Sequence, residues 1–107
     1  MSYERMRVLC MFDLPMETPR EQKAYREFRK ALLSNGFTML QYSIYQRAVP
    51  NRQATKKYER ILKRYIPENG EIRLLYVTEK QFGDMDLLIG TRSKQEEIVG
   101  DNKLVVI

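Results

Sequence analysis

The residue best placed to do chemistry is Asp13. It ends the strand-like run Val8-Leu9-Cys10-Met11-Phe12, and Leu14-Pro15 breaks the chain directly after it. A lone carboxylate at the carboxyl end of an apolar strand, with a turn behind it, stands where open sheets tend to place ligands and metals. The same residue could simply open the turn or cap a backbone amide, because Asp favours turns and a Pro two residues on stops a strand. The chain contains no histidine. That removes histidine general acid/base catalysis, Ser-His and Cys-His nucleophiles and the usual zinc ligand sets. Hydrolytic chemistry would therefore rest on carboxylates, a hard cation that prefers oxygen, and Arg or Lys against developing charge. Phosphodiester hydrolysis with magnesium fits that inventory. Asp84 and Asp86 flank a turn and receive no role.

The cations are distributed unevenly. Residues 1 to 65 carry 14 Lys/Arg against 6 Asp/Glu, and residues 66 to 107 carry 5 against 8, within a net charge of +5. Such asymmetry suggests one face for a polyanion and another for a second kind of partner.

The elements that must position these residues emerge from the pattern of the chain. Thr18-Pro19-Arg20-Glu21 supplies an N-cap, a Pro at the first helical position and the distal acid of a capping box. Ala24, Phe28, Ala31 and Leu32 then recur at helical spacing, and Ser34-Asn35-Gly36 supplies the stop. The outer side of this helix carries Arg20, Lys23, Arg26, Arg29 and Lys30. Residues 37 to 49 read as one long strand, bent near Gln41 to Ser43. From Arg52 to Tyr65, Ala54, Tyr58, Ile61, Leu62 and Tyr65 share one helical face, with Lys56, Lys57, Arg60, Lys63 and Arg64 behind them. Residues 71 to 78 form a core strand, Gln81-Phe82-Gly83 a link, and Met85 to Ile89 a further strand. Leu104-Val105-Val106-Ile107 gives a short final strand, which needs an edge to pair with, and a second subunit would supply one. Read linearly, the order is βαβαββ plus this tail.

The 107 residues bound the chain to one domain, spanning 1 to 107 with 91 to 107 as a tail, and so small a unit gains from homo-oligomerisation. No segment approaches the roughly 18 to 20 consecutive apolar residues of a membrane span, so no membrane partner is expected. The N-terminus has no apolar signal core, and the single Cys10 lies in a core strand without a disulfide partner. Both point to a soluble protein of a reducing, cytoplasmic compartment. The tyrosines Tyr42, Tyr45, Tyr58, Tyr65 and Tyr76 read as core or interface packing, and Met11 and Met39 as core filler.

Three segments carry a resemblance over nearly the whole chain. These are Met11-Phe12-Asp13-Leu14-Pro15, Gly36-Phe37 leading into Gln41-Tyr42-Ser43-Ile44-Tyr45, and Ile72-Arg73-Leu74-Leu75-Tyr76-Val77. In this order they resemble the CRISPR-associated protein two family, small CRISPR adaptation endonucleases. The tail is similar to those found beside a large single-protein effector nuclease. The resemblance implies a ferredoxin-like βαββαβ α+β sandwich, here taken over the linear order, with an extra C-terminal strand crossing to a partner in a symmetric homodimer. It implies that Asp13 from each subunit holds a divalent metal, Mg2+ or alternatively Mn2+. It also implies a scaffold that bridges dimers of the CRISPR integrase subunit along double-stranded DNA.

The candidate nucleic-acid contacts are Arg20, Lys23, Arg26, Lys30, Lys56, Lys57, Arg60, Lys63 and Arg64, which can meet phosphates without reading sequence. Their alternative is a solvated helix face, which is disfavoured because the excess is one-sided and unbalanced by carboxylates four residues away. Three functions are consistent with this reading: a DNA-binding scaffold of spacer acquisition, a metal-dependent endonuclease acting on RNA or DNA, and a non-enzymatic module for single-stranded RNA.

Overall fold

The computed structural model describes residues 4–90. Strand β1 (Met6–Asp13) buries Met6, Val8, Cys10 and Phe12 on one side, as the period of two requires. Helix α1 (Pro19–Ser34) begins as its sequence predicts. The Glu21 amide donates to Thr18 Oγ1 at 3.1 Å, and the Thr18 amide donates to the Glu21 carboxylate at 2.9 Å. Two such bonds satisfy amide donors that a helix start otherwise leaves open. Phe28, Ala31 and Leu32 face the sheet.

The expected long strand over 37 to 49 is instead a hairpin, β2 (Thr38–Gln41) and β3 (Ile44–Val49), reversing at Tyr42-Ser43. Ser43 adopts φ 65, a conformation that hairpin turns usually obtain from Gly or Asn, so an aromatic run conceals the reversal. Helix α2 (Thr55–Lys63) is shorter at both ends than residues 52 to 65 suggested. Asn51 Oδ1 accepts the Ala54 amide at 2.9 Å and holds the preceding residues as a turn. Strand β4 (Glu71–Thr78) matches expectation, but it runs straight into helix α3 (Glu79–Gly83), and only Leu87 of Met85 to Ile89 forms a bridge. The physical cause is a second capping box: Thr78 Oγ1 accepts the Gln81 amide at 3.0 Å, and Gln81 accepts the Thr78 amide at 2.9 Å.

The sheet order is β2-β3-β1-β4, with every neighbouring pair antiparallel. With α1 and α2 in the chain order βαββαβ this is the ferredoxin-like fold, not the linear βαβαββ. The tail strand at 104 to 107 lies outside the described residues.

The core is one-sided. Phe12 meets Tyr25, Phe28 and Tyr45 at centroid distances of 6.0, 5.4 and 5.7 Å, and Phe37 meets Tyr58 at 5.9 Å. Tyr45 and Tyr58 are buried and Tyr76 packs half-buried against the cluster. Tyr42 is 88% exposed at the hairpin tip, and Tyr65 is also exposed, so neither belongs to the core. Met39 is exposed on the edge strand, where a register shift lies between Met39 and Gln41. Met11 is half-buried on the other sheet face. Burial pushes the Cys10 thiol up to about 12, so it is a core group and not a nucleophile. Among the described residues no helix is long and apolar enough to cross a membrane.

Neither α1 nor α2 covers the second face of the sheet. Register and alternation place Leu9, Met11, Ile44, Leu75 and Val77 there, ringed by Arg7, Arg73, Asp13 and Glu71. Leu75 is 46% exposed. At one edge Arg7 donates to both Glu79 carboxylate oxygens at 2.6 Å and to Gln46 Oε1 at 2.7 Å, beneath the Phe82 ring. This bidentate pair fixes α3 against that edge.

Candidate functional site

Three pieces of chain converge on Asp13. It is the last residue of β1, and the preceding Phe12 amide donates to the Ser43 carbonyl at 3.0 Å, so the β2–β3 turn is fastened beside it. On the other side Asp13 stands directly opposite Glu71, the first residue of β4. Gly70 completes the enclosure at φ +107. A Cβ there would lie 2.6 Å from the Asp13 carbonyl oxygen and 2.8 Å from Leu14 Cδ2. Only glycine permits this close approach.

The Asp13 carboxylate is exposed and, among the described residues, accepts no hydrogen bond and forms no ion pair. It therefore caps no amide there. Directly opposed residues of an antiparallel pair project to the same face with Cβ atoms about 4.5–5.5 Å apart. Asp13 and Glu71 are thus neighbouring acids on one face of the sheet, with Arg73 two residues along β4 on the same face. All donors are oxygen, which suits Mg2+ or Mn2+. Among the described residues no group of three potential metal ligands forms. Sequence reasoning missed Glu71. It comes just after the helix stop Pro67-Glu68-Asn69-Gly70, and only the β1–β4 register sets it beside Asp13.

Every cation singled out in the sequence is exposed: Arg20, Lys23, Arg26 and Lys30 on α1, Lys56, Lys57, Arg60 and Lys63 on α2, and Arg64 just after it. The two helices pack on the same side of the sheet. The expectation that these stripes lack carboxylates four residues away is corrected in part. Lys23 pairs with Glu27 at 4.0 Å and Lys63 with Glu59 at 3.3 Å, while Arg20 pairs with Glu68 at 2.9 Å. Arg26, Lys30, Lys56, Lys57, Arg60 and Arg64 form no ion pair among the described residues. Glu59 also adds to desolvation in raising the Tyr76 hydroxyl above its ordinary pKa.

The structure therefore separates what the sequence placed in one chain. Asp13 projects with the uncovered sheet face, and the cations lie on the helix layer behind it. Arg20 stands at the start of α1 and pairs with Glu68. It lines a cleft with Leu14, Pro15, Tyr25 and Ile66, reaching from the loop after β1 to Glu68 in the loop before β4.

Comparison with known proteins places this geometry in context. The family model described as CRISPR associated protein Cas2 matches residues 6–85. A "CRISPR-associated endoribonuclease Cas2" from Ligilactobacillus salivarius is 42% identical over 90 residues, covering 84% of this chain and 89% of that protein. One of the same name from Streptococcus mutans is 49% identical over 87 residues, covering 81% and 80%. A solved structure, "Crystal structure of cas2", superposes with a TM-score of 0.53 at 21% identity over 84% of this chain and 91% of that one, and supports the fold alone.

Proposed function

The chain belongs to the CRISPR-associated Cas2 family, and on that premise we propose that it is a CRISPR adaptation protein, a homodimeric scaffold for double-stranded DNA that bridges integrase subunits during spacer acquisition. The single observation that carries the reading is an apolar sheet face left open by both long helices, opposite a helix layer that bears the unpaired cations. A solvent-facing antiparallel sheet normally alternates toward polar residues on its open side. Here Met11, Ile44, Leu75 and Val77 surround an already buried Leu9 in an apolar centre instead, which suits burial against a second copy. Pairing two such faces brings both Asp13-Glu71 pairs inward and leaves both cationic helix layers outward. The unpaired cations, Arg26, Lys30, Lys56, Lys57, Arg60 and Arg64, then meet phosphates without reading bases. The test is duplex binding and integration by the reconstituted complex. Reversal of Lys56 and Arg60 to Glu weakens both, whereas Asp13→Ala leaves them intact. Loss of integration in an Asp13→Ala complex that assembles normally would overturn the scaffold role as the primary one.

A second activity, a metal-dependent endonuclease on RNA or DNA, is favoured by the carboxylate pair and by the names of the relatives. Asp13 and Glu71 would hold Mg2+ or Mn2+, which when bound acidifies water and offsets phosphate charge. Cleavage should require the divalent ion and vanish in Asp13→Asn. Full activity in that purified variant would identify a contaminant. The third reading, a sheet-face module for single-stranded RNA, finds little support. Such modules stack bases on aromatic residues, and Tyr76 is turned to the helix side while Arg73, Leu75 and Val77 occupy the open face.

A further inference from the structure

A half-buried arginine that no part of the proposed function uses sits between the two helices. Arg47 lies on β3 opposite Val8, on the side of the sheet that carries the core. Its guanidinium stacks on the Tyr58 ring at 4.7 Å from the centroid, and Lys57 Nζ lies 5.6 Å from the same centroid. The Arg47 Nε is buried and has no hydrogen-bond partner, and Arg47 forms no ion pair among the described residues. The backbone reserves room for this group. A Cβ at Gly36, which adopts φ +82, would fall 1.7 Å from Arg47 Nη1.

A guanidinium whose Nε is shut off from water without a hydrogen-bond partner carries a desolvation cost. The surrounding groups do not relieve it. Three carbonyls in the last turn of α1 are already occupied, Ala31 by the Asn35 amide and side chain, Leu32 by Phe37, and Leu33 by Gly36. Glu27 on α1 and Glu59 on α2 are engaged with Lys23 and Lys63. An anion would offset that cost. A guanidinium held over an aromatic ring, with no hydrogen bond or ion pair of its own among the described residues, matches the oxygens of a phosphate.

We propose that Arg47, with Lys57, forms a phosphate-binding site between β3 and α2. The site rests on the nucleic-acid reading for the identity of the phosphate's carrier, a backbone phosphodiester, while its ligand chemistry stands on Arg47 itself. It turns the α2 stripe from a diffuse field into one with a fixed anchor, since Lys57 contributes to both.

The test monitors the Arg47 Nε–H resonance by NMR in the full-length protein, assigned by its disappearance in Arg47→Lys. Inorganic phosphate is titrated against sodium chloride of matched ionic strength, and duplex DNA is titrated separately. A saturable shift with phosphate and a shift with duplex are expected. In Arg47→Met, which keeps the apolar stem over Tyr58, the slope of log affinity for duplex against log salt should become shallower by about one. A shift with phosphate but not with duplex supports the site and assigns it a free phosphate, contradicting only its place in DNA binding. Duplex binding with an unmoved Nε–H, no response to phosphate and an unchanged slope in Arg47→Met would overturn the inference while leaving the scaffold reading intact.

Discussion

Replacing Gly70 by alanine tests how the acidic site is built. At φ +107 a side chain is strained whatever the space around it, a cost of roughly 1–2 kcal/mol for a left-handed residue bearing a Cβ. The added carbon would also lie 2.6 Å from the Asp13 carbonyl oxygen and 3.2 Å from Leu14 Cα. Both are backbone atoms, in the last residue of the β1–β4 ladder and the one directly after it, so they cannot give way as a flexible side chain would. Overpacking of this kind costs about 1–3 kcal/mol. Together these give a loss of about 2–5 kcal/mol. A domain of this size loses roughly 4–8 °C in Tm per kcal/mol, so thermal unfolding measured by circular dichroism should show a fall of at least about 8 °C. Gly83→Ala is the internal control, because a Cβ there meets nothing within 4 Å. Its Tm should stay within a few degrees of the parent. A Gly70→Ala protein as stable as Gly83→Ala, cleaving nucleic acid at the parent rate, would refute the claim that this glycine shapes the Asp13 site.

Further outcomes are expected. Leu75→Glu, at the centre of the uncovered face, should convert the dimer to a folded monomer in sedimentation, with far-UV dichroism unchanged. Duplex affinity should fall more on reversing the unpaired Lys56 and Arg60 than on reversing Lys23 and Lys63, whose charges Glu27 and Glu59 already offset, as fluorescence anisotropy at low salt would record. Chelation of divalent ions should stop cleavage while leaving duplex binding unchanged, measured on the same preparation. Because the folded Cys10 pKa is about 12 and an unfolded thiol titrates near ~8.5, the unfolded state loses its proton first. Stability contributed by Cys10 is therefore complete below about pH 8.5 and falls as pH rises toward about 12. Denaturant titrations should show a shallower decline over this range in Cys10→Ala than in the parent.

The parts of the fold that were legible in the sequence are those where a local signal has one meaning. The Thr18 capping box, the Ser34-Asn35-Gly36 stop and the alternation over Glu71–Thr78 each specify their element without reference to the rest of the chain. The hairpin was hidden because Ser43 supplies the turn's positive φ inside an unbroken run of strand-forming residues. The third helix was legible in principle, since Thr78-Glu79-Lys80-Gln81 is a capping box, but it spans a single short turn next to an apolar stretch that resembles a strand. Asp13 stood out through its position alone. Glu71 and Arg47 did not, because their significance comes from long-range register and from contacts across the core: an acid set opposite Asp13, and a guanidinium set over Tyr58. That the Asp13-Glu71 pair lies on the open sheet face and the helix cations on the opposite layer could not be read from charge counts, which record how much charge a segment carries and not which way it points.

Dipolar coupling between two Asp13→Cys spin labels in the assembled protein addresses the face-to-face pairing most directly, because the buried native Cys10 should resist labelling. Labels at position 13 should lie close enough to broaden one another strongly, while labels at Lys30, on the outer helix layer, should be well separated. Weak coupling at position 13 together with strong coupling at position 30 would mean that the helix layers meet instead, and the arrangement of acids inside and cations outside would be wrong.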